Sequence, residues 1–451
     1  MNGVPGSILW FIVAISVLVA VHEYGHYIVG RWCGMKVLRF SIGFGKPLWT
    51  WTGSSPDRTE YCISTIPLGG YVKFLDEREG PVEPEDVGRA FTHRPISNRI
   101  AVLLAGPLFN FLFAILVYWV LFVYGVPALK PAVGQVADDS YAATAGLEYG
   151  DRIIAVGDRD ALDWETALLS MIDEMVDDGR IPLRLQREGG NTRETVIDVG
   201  ADSSRLTEPG LLFDGLGFTP WRPPAVVASV IEDGGAAGGG ILPGDQITRI
   251  DGEVVYDVYD LLRIVAERPD QQVPIEYIRS GRDSTTDVML GNREQDGKKI
   301  GLFGASISGD FGDLRYDRKY GPLSAVGEAV QQTWLTTAFT VRMLANMLTG
   351  NVSFKNISGP ISIAQYAGDS AAAGFDRFIK FLAVISISLG ALNLLPIPIL
   401  DGGQIVYQTI EWLKGSPLSM RSQMLGQQVG ILALLVLMSF AFYNDFARIF
   451  G

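Results

Sequence analysis

The stretch His22-Glu23-Tyr24-Gly25-His26 combines residue types that could do chemistry. On a helix the two histidines stand at i and i+4, on one face. That spacing suits zinc, and Glu23 between them is of the right type to serve as general base for a bound water. The run around them, from about Ile8, is otherwise apolar. Ionisable side chains are costly there unless they have partners or a function. Two of the chain's three histidines lie in this motif, and the third, His93, reads as incidental.

A catalytic zinc takes three protein ligands and keeps a fourth position open. With no further histidine available, the third ligand is expected to be Asp or Glu at membrane depth. Asp401, in "NLLPIPILDGG", follows an apolar span and sits among prolines and apolar residues. Its alternative reading is an ordinary turn aspartate before Gly402-Gly403.

Four stretches approach the roughly 20 apolar residues that span a bilayer: 7–29, 100–124, 375–395 and 427–446. Arg377 and Lys380 can snorkel from one end of the third. Residues 1–10 carry no charge, whereas Arg31, Lys36, Arg39 and Lys46 follow the first span and Arg94 and Arg99 precede the second. The segment between them is therefore expected in the cytoplasm and the N-terminus outside. Without a basic n-region or an A-x-A site, the first helix is expected to be retained. The stretch 321–350 includes Glu328, Gln331, Gln332, Arg342 and Asn346, and reads as an amphipathic surface helix. If it does not cross, the third span runs inward like the first. Asp401 then arrives in the same half of the bilayer as His22 and His26. This reading depends on the shared metal.

Composition agrees with a hybrid of membrane spans and soluble domains: 48% hydrophobic and 19% charged. Of a net charge of -13, residues 125–322 supply 35 acidic and 20 basic side chains. The acidic middle argues against nucleic acid as a partner. Cys33 and Cys62 form no disulfide framework and read as reduced or lipid-buried thiols. The middle holds a repeat, "AATAGLEYGDRIIAVGDR" echoed by "GAAGGGILPGDQITRIDGE", each followed by a helical run and a strand. The pattern AGLxxGDxIxxVxG resembles bacterial PDZ domains, expected here at 127–220 and 221–310. Between the first two spans, within 36–75, "RFSIGFGKPLWTWTG" and "EYCISTIPLGGYVKF" read as a β-hairpin unusually apolar for a soluble one.

"HEYGH", "GPLFN" (Gly106 to Asn110), the two PDZ-like repeats, "NISGPISIA" (356–364) and "NLLPIPILDGG" occur in that order over nearly the whole chain. Together they resemble the site-2 protease family of intramembrane zinc metalloproteases, and within it the group from Gram-negative bacteria. The resemblance implies a multi-pass α-helical membrane protein of four transmembrane helices. To these it adds a membrane-associated β-hairpin or sheet and two tandem extracytoplasmic PDZ domains. It implies one zinc ion per chain on His22, His26 and Asp401, with Glu23 as catalytic acid and base. It also implies that Asn393 positions the substrate backbone; an interhelical hydrogen bond is the alternative. The β region would be membrane-reentrant near the active site, with Gly43, Gly45, Gly69, Gly70 and Tyr71 as candidate substrate-binding residues. An open strand edge there could take an unwound substrate as an added strand, or the hairpin could be merely interfacial.

The implied substrates are single-span membrane proteins, an anti-sigma factor after a first extracytoplasmic cut and remnant signal peptides. The implied location is the bacterial inner membrane, with both termini and the PDZ domains on the periplasmic side. A membrane-anchored PDZ scaffold would need no base beside the ligands, so Glu23 speaks against it. A transporter is disfavoured by the lack of inverted repeats.

Overall fold

The computed structural model of the chain describes residues 4–450, except residues 79, 188, 296 and 297. Contacts divide it into two compact units, Met1–Val126 with Asp317–Gly451, and Pro127–Tyr316. The first unit begins with helix α1 (Val4–Trp32), which carries the histidine pair in its last third. A helix satisfies its own backbone polar groups, which is what an apolar environment requires.

Strands β1 (Val37–Thr52) and β2 (Glu60–Phe74) follow. They form more than the expected hairpin. Ile42 lies opposite both Gly70 and Ile63, and Trp51 lies opposite Tyr61. Residues 37–42 are thus flanked by 70–74 and by 60–63, and 60–63 pair in turn with 49–52. Two strands make four rows, with 49–52 and 70–74 outermost. The fold-back is made at Gly43 and Gly45, whose φ values of 91° and 87° are left-handed conformations that glycine adopts without steric cost. Leu48, Trp49, Trp51 and Ile66 stand exposed on this sheet. Such a cluster suits lipid better than water. The sheet is tied to α1 where the Tyr27 and Tyr61 hydroxyls meet at 2.7 Å and Arg31 donates to Tyr27 at 2.7 Å.

Helix α2 (Ile96–Tyr124) packs closely on α1. A Cβ added at Gly25 would lie 2.4 Å from the Ala105 carbonyl oxygen, so only glycine admits this approach.

The second unit consists of two similar halves, each with its own core. In the first, strands β3 (Arg152–Val156), β4 (Arg159–Asp160), β5 (Arg180–Gln186) and β6 (Thr192–Asp198) form a sheet in the order β4-β3-β5-β6. Helix α3 (Trp164–Asp178), capped by Asp163, buries Met171 and Met175 with Ile181, Leu185 and Ile197. The second half repeats the order as β8-β7-β9-β10, with β7 (Gln246–Ile250), β8 (Glu253–Val254), β9 (Gln272–Arg279) and β10 (Arg282–Met289). Its helix α4 (Val258–Ala266) is capped by Asp257 and buries Leu261 and Ile264 against Ile275 and Val288.

The repeated Gly-Asp turn has one function in both halves. The buried Asp151 carboxylate accepts from the Glu148 amide at 3.0 Å and pairs with Arg187 at 3.2 Å. Asp245 accepts from the Leu242 amide at 2.8 Å and pairs with Arg279 at 2.6 Å. Hydrogen bonding from Arg279 holds the Asp245 carboxyl below its ordinary range. A carboxylate with a lower pKa folded than unfolded stabilises the fold above the unfolded value, about 4, and loses that contribution as pH falls through the folded value. Asp245→Asn is expected to loosen the β7–β9 region by about 1–2 kcal/mol near neutrality, discounted because Arg279 is a third exposed. Hydrogen exchange on the full-length protein at pH 7 checks this. The difference from the parent should shrink on acidification.

Helix α5 (Ser324–Thr349) packs Ala325 and Ala329 into a cluster with Ala114 and Tyr118 of α2. Ala383 and Ile387 of helix α7 (Phe375–Asn393) complete that cluster. The other side of α5 leaves Val326, Val330 and Trp334 exposed. Its amphipathic pattern thus serves helix packing along one face. Helix α6 (Pro360–Ala373) starts on Asp445 of helix α9 (Met420–Phe450). That carboxylate accepts from the Gly359, Ile361 and Ser362 amides at 2.9, 2.8 and 3.2 Å. Helix α8 (Asp401–Lys414) is linked to α2 by Glu411, which accepts from Arg99 at 2.8 Å. Among the described residues, α1, α2 and α9 are long and apolar enough to cross a membrane. Helix α7 has 19 residues, with Asp376, Arg377 and Lys380 in its first two turns.

Candidate metal centre

Two elements bring three ligand atoms to one point. His22 and His26 project from one face of α1, both buried. Asp401 is the first residue of α8 and reaches them because the preceding loop folds tightly onto the helix start. A Cβ at Gly402 would lie 2.3 Å from the Leu394 carbonyl oxygen, and one at Gly403 2.1 Å from that of Ile397. Gln404 donates to the Pro398 carbonyl at 2.8 Å and closes the loop. The Gly-Gly pair after Asp401 is therefore a packing requirement of the site.

The three atoms form a small triangle. His22 Nε2 and His26 Nε2 are 3.2 Å apart, and Asp401 Oδ2 lies 3.2 Å from the first and 3.4 Å from the second. Metal–ligand bonds of about 2.1 Å in tetrahedral array place ligand atoms about 3.4 Å apart. The triangle matches one face of such a tetrahedron. Tautomer chemistry agrees. His26 Nδ1 sits 2.7 Å from the Val102 carbonyl oxygen, which can only accept, so Nδ1 carries the proton and Nε2 presents a lone pair. Asp401 Oδ2 is buried and has no hydrogen-bond donor. Acceptors facing one another in a buried space call for a cation, and the donor set of two imidazoles and one carboxylate fits zinc.

Helix α2 forms the floor. A Cβ at Gly106 would lie 2.3 Å from His26 Nε2 and 2.7 Å from His22 Cε1. Asn110, one turn further on and fully buried, places its side-chain amide 3.1 Å from His22 Nδ1. Glu23 is half-buried and outside the triangle, but close enough to feel the charge of all three members. Gly70 approaches it so closely that a Cβ there would lie 3.1 Å from Glu23 Cγ. The backbone of Val72 lies against the same carboxylate. The outer row 70–74 therefore runs past the prospective base.

The other sequence candidates are placed less directly. Tyr71 stacks on Phe44 at 6.2 Å and accepts from Arg39 at 3.2 Å. Gly69 packs on the same Phe44 ring, while Gly43 and Gly45 face residues 64–66. Asn393 is the half-buried last residue of α7, outside the ligand triangle. His93 pairs with Glu77 at 2.7 Å on the surface, and Cys33 and Cys62 are both free thiols. Gly106 and Asn110 had no assigned role in the sequence reading. The available signal was an amide and a Gly-Pro pair inside an apolar span.

Comparison with known proteins accords with this geometry. Residues 10–437 match the family described as Peptidase family M50. The Regulator of sigma-E protease RseP of Escherichia coli is 38% identical, over 98% of this chain and 100% of its own length. The Regulator of sigma E protease of Salmonella typhi matches at the same identity and coverage. A Xylella fastidiosa protein, provisionally named a zinc metalloprotease, is 41% identical over 97% of this chain and 98% of its own.

Proposed function

The chain belongs to peptidase family M50, the site-2 type of zinc metalloprotease, and on that premise we propose that His22, His26 and Asp401 hold one zinc ion per chain. Glu23 is then the acid and base of peptide hydrolysis within the membrane. The ligand triangle, with sides of 3.2, 3.2 and 3.4 Å and a buried carboxylate oxygen lacking a donor at one corner, is the observation that carries this reading. Zinc bound there supplies Lewis-acid activation of water and of the scissile carbonyl. The chain's own residues do the rest. Glu23 takes the water proton and returns it to the leaving amine. Val102 holds His26 in the tautomer that frees Nε2.

A helical peptide bond is shielded by its own hydrogen bonds, so a transmembrane substrate must unwind first. The outer row 70–74 beside Glu23 supports a site where an extended segment adds as a strand. Gly70 lets this row come close to Glu23, and Asn393 is the proposed further contact to the substrate backbone. Gly43, Gly45, Gly69 and Tyr71 would act by shaping the sheet around Phe44.

The substrates we propose are single-span membrane proteins, above all an anti-sigma factor already cut outside the membrane, and also remnant signal peptides. The Escherichia coli and Salmonella relatives, named as regulators of sigma E, support this class. The proposed setting is the bacterial inner membrane with four spans, α7 crossing as the third in chain order beside α1, α2 and α9. The termini and the second unit would face the periplasm. Its two halves would be tandem PDZ domains, a reading supported by the repeated sheet order and the paired Gly-Asp turns.

The test is metal analysis of purified His22→Ala and Asp401→Ala proteins alongside cleavage of a single-span substrate. Both variants are expected to lose the one zinc per chain and the cleavage. Full zinc in Asp401→Ala would place the third ligand elsewhere.

A further inference from the structure

We infer that Asn110 is the positioning residue that fixes the tautomer of His22: its amide oxygen accepts the Nδ1 proton, so that the Nε2 lone pair faces the metal. The inference rests on His22, His26 and Asp401 being the zinc ligands.

Each imidazole has two nitrogens, and binding through Nε2 requires the proton on Nδ1. For His26 the Val102 carbonyl oxygen enforces this, since a carbonyl only accepts. His22 has no carbonyl in that place. Its Nδ1 lies 3.1 Å from Nδ2 of the Asn110 amide, so the structure has the amide nitrogen toward the ring. An amide can present either of two chemistries, exchanged by a half-turn of the group. With Nδ2 toward the ring, Nδ1 must be bare and Nε2 carries a proton toward Asp401, which leaves no lone pair for a metal. With Oδ1 toward the ring, Nδ1–H donates and Nε2 is free. In the first orientation Oδ1 is buried without a partner. The half-turn transfers that vacancy to the nitrogen, so hydrogen-bond counting does not choose between them. The ligand role of Nε2 does.

The residue is built for the task. Asn110 is fully buried within the apolar α2, and its backbone carbonyl accepts from the Ser386 hydroxyl of α7 at 2.9 Å. The backbone at Asn110 is thus tied to α7 while its side-chain amide faces α1. An asparagine without such a function would be a costly choice there.

The experiment is a chelator-competition titration of zinc on full-length protein in detergent, with the absorption spectrum of the cobalt-substituted form as second readout. Asn110→Leu removes the acceptor at similar size. It is expected to weaken zinc binding about 10–100-fold, as loss of partners behind metal-bound histidines does. Asn110→Asp keeps an acceptor and cannot donate, and is expected to bind zinc within about threefold of the parent, since its carboxylate still satisfies the Nδ1 proton. Zinc affinity in Asn110→Leu equal to the parent overturns the inference. So does Asn110→Asp binding as weakly as Asn110→Leu, because the donor would then be what matters. Melting of the metal-stripped proteins shows whether Asn110→Leu folds. If it does not, the aspartate variant alone decides. Undiminished zinc binding by His22→Ala would overturn the ligand assignment, and this inference with it.

Discussion

Glu23→Gln is expected to cut peptide hydrolysis about 10²–10⁴-fold while leaving zinc in place, the usual range for removal of a general base. The structure separates the two effects. The ligand triangle is closed by His22, His26 and Asp401 without Glu23. Glutamine has the same length and shape, which matters because Gly70 comes so near the Glu23 side chain. What it lacks is the basic oxygen. Cleavage of one single-span substrate and zinc content, measured on the same preparation, check the prediction. A glutamine enzyme that cuts at the parent's rate would mean another group takes the water proton. Loss of zinc in that variant would mean the carboxylate helps hold the metal. Either result would overturn the division of labour between Glu23 and the ligands.

The sequence made the proposed ligands legible because their chemistry is costly where it stands. Two histidines and a glutamate in an apolar helix at i, i+1 and i+4 have few explanations. Asp401 was reachable by a depth argument, since the third ligand had to arrive at the same level. Helix bounds followed from apolar runs, as at α1 and α2. The two halves of the second unit were visible as a repeat because turn residues recur at fixed offsets. Asp151 and Asp245 show why: each caps its own turn and pairs with an arginine at the end of a neighbouring strand.

Other features were hidden for a physical reason. The four-row form of β1 and β2 depends on a register that doubles back on itself. Alternation along a strand reports which face a residue takes, and is silent about a second partner across the other edge. The packing role of α5 was hidden because a stripe of small residues reads alike for a helix on a bilayer and a helix on a neighbour. Gly106 and Asn110 depend on distances between helices far apart in sequence. Gly106 lies 80 residues beyond His26, and only the crossing of α1 and α2 brings them together.

That crossing gives the sharpest conflict between local preference and site geometry. By helix propensity alone, Gly106→Ala should stabilise α2 by about 1 kcal/mol. Geometry predicts the opposite for function. The new methyl would occupy space 2.3 Å from His26 Nε2, 2.6 Å from His26 Cε1 and 2.7 Å from His22 Cε1. These atoms belong to the ligand rings themselves, and His26 is also held to Val102, so neither ring can yield and keep its lone pair on the metal. Displacement of about 1 Å at a reacting centre costs about 10²-fold in rate. The alanine protein is expected to bind zinc at least about tenfold more weakly and to lose most of its cleavage. Its metal-stripped form should melt no lower than the parent's, because without zinc the rings are free to shift and the propensity gain remains. Zinc titration, cleavage and melting of the stripped protein separate these effects. Parent-like zinc binding and cleavage in Gly106→Ala would mean that α2 does not floor the site. A stripped protein that melts far below the parent would instead make Gly106 a general packing residue of the α1–α2 contact.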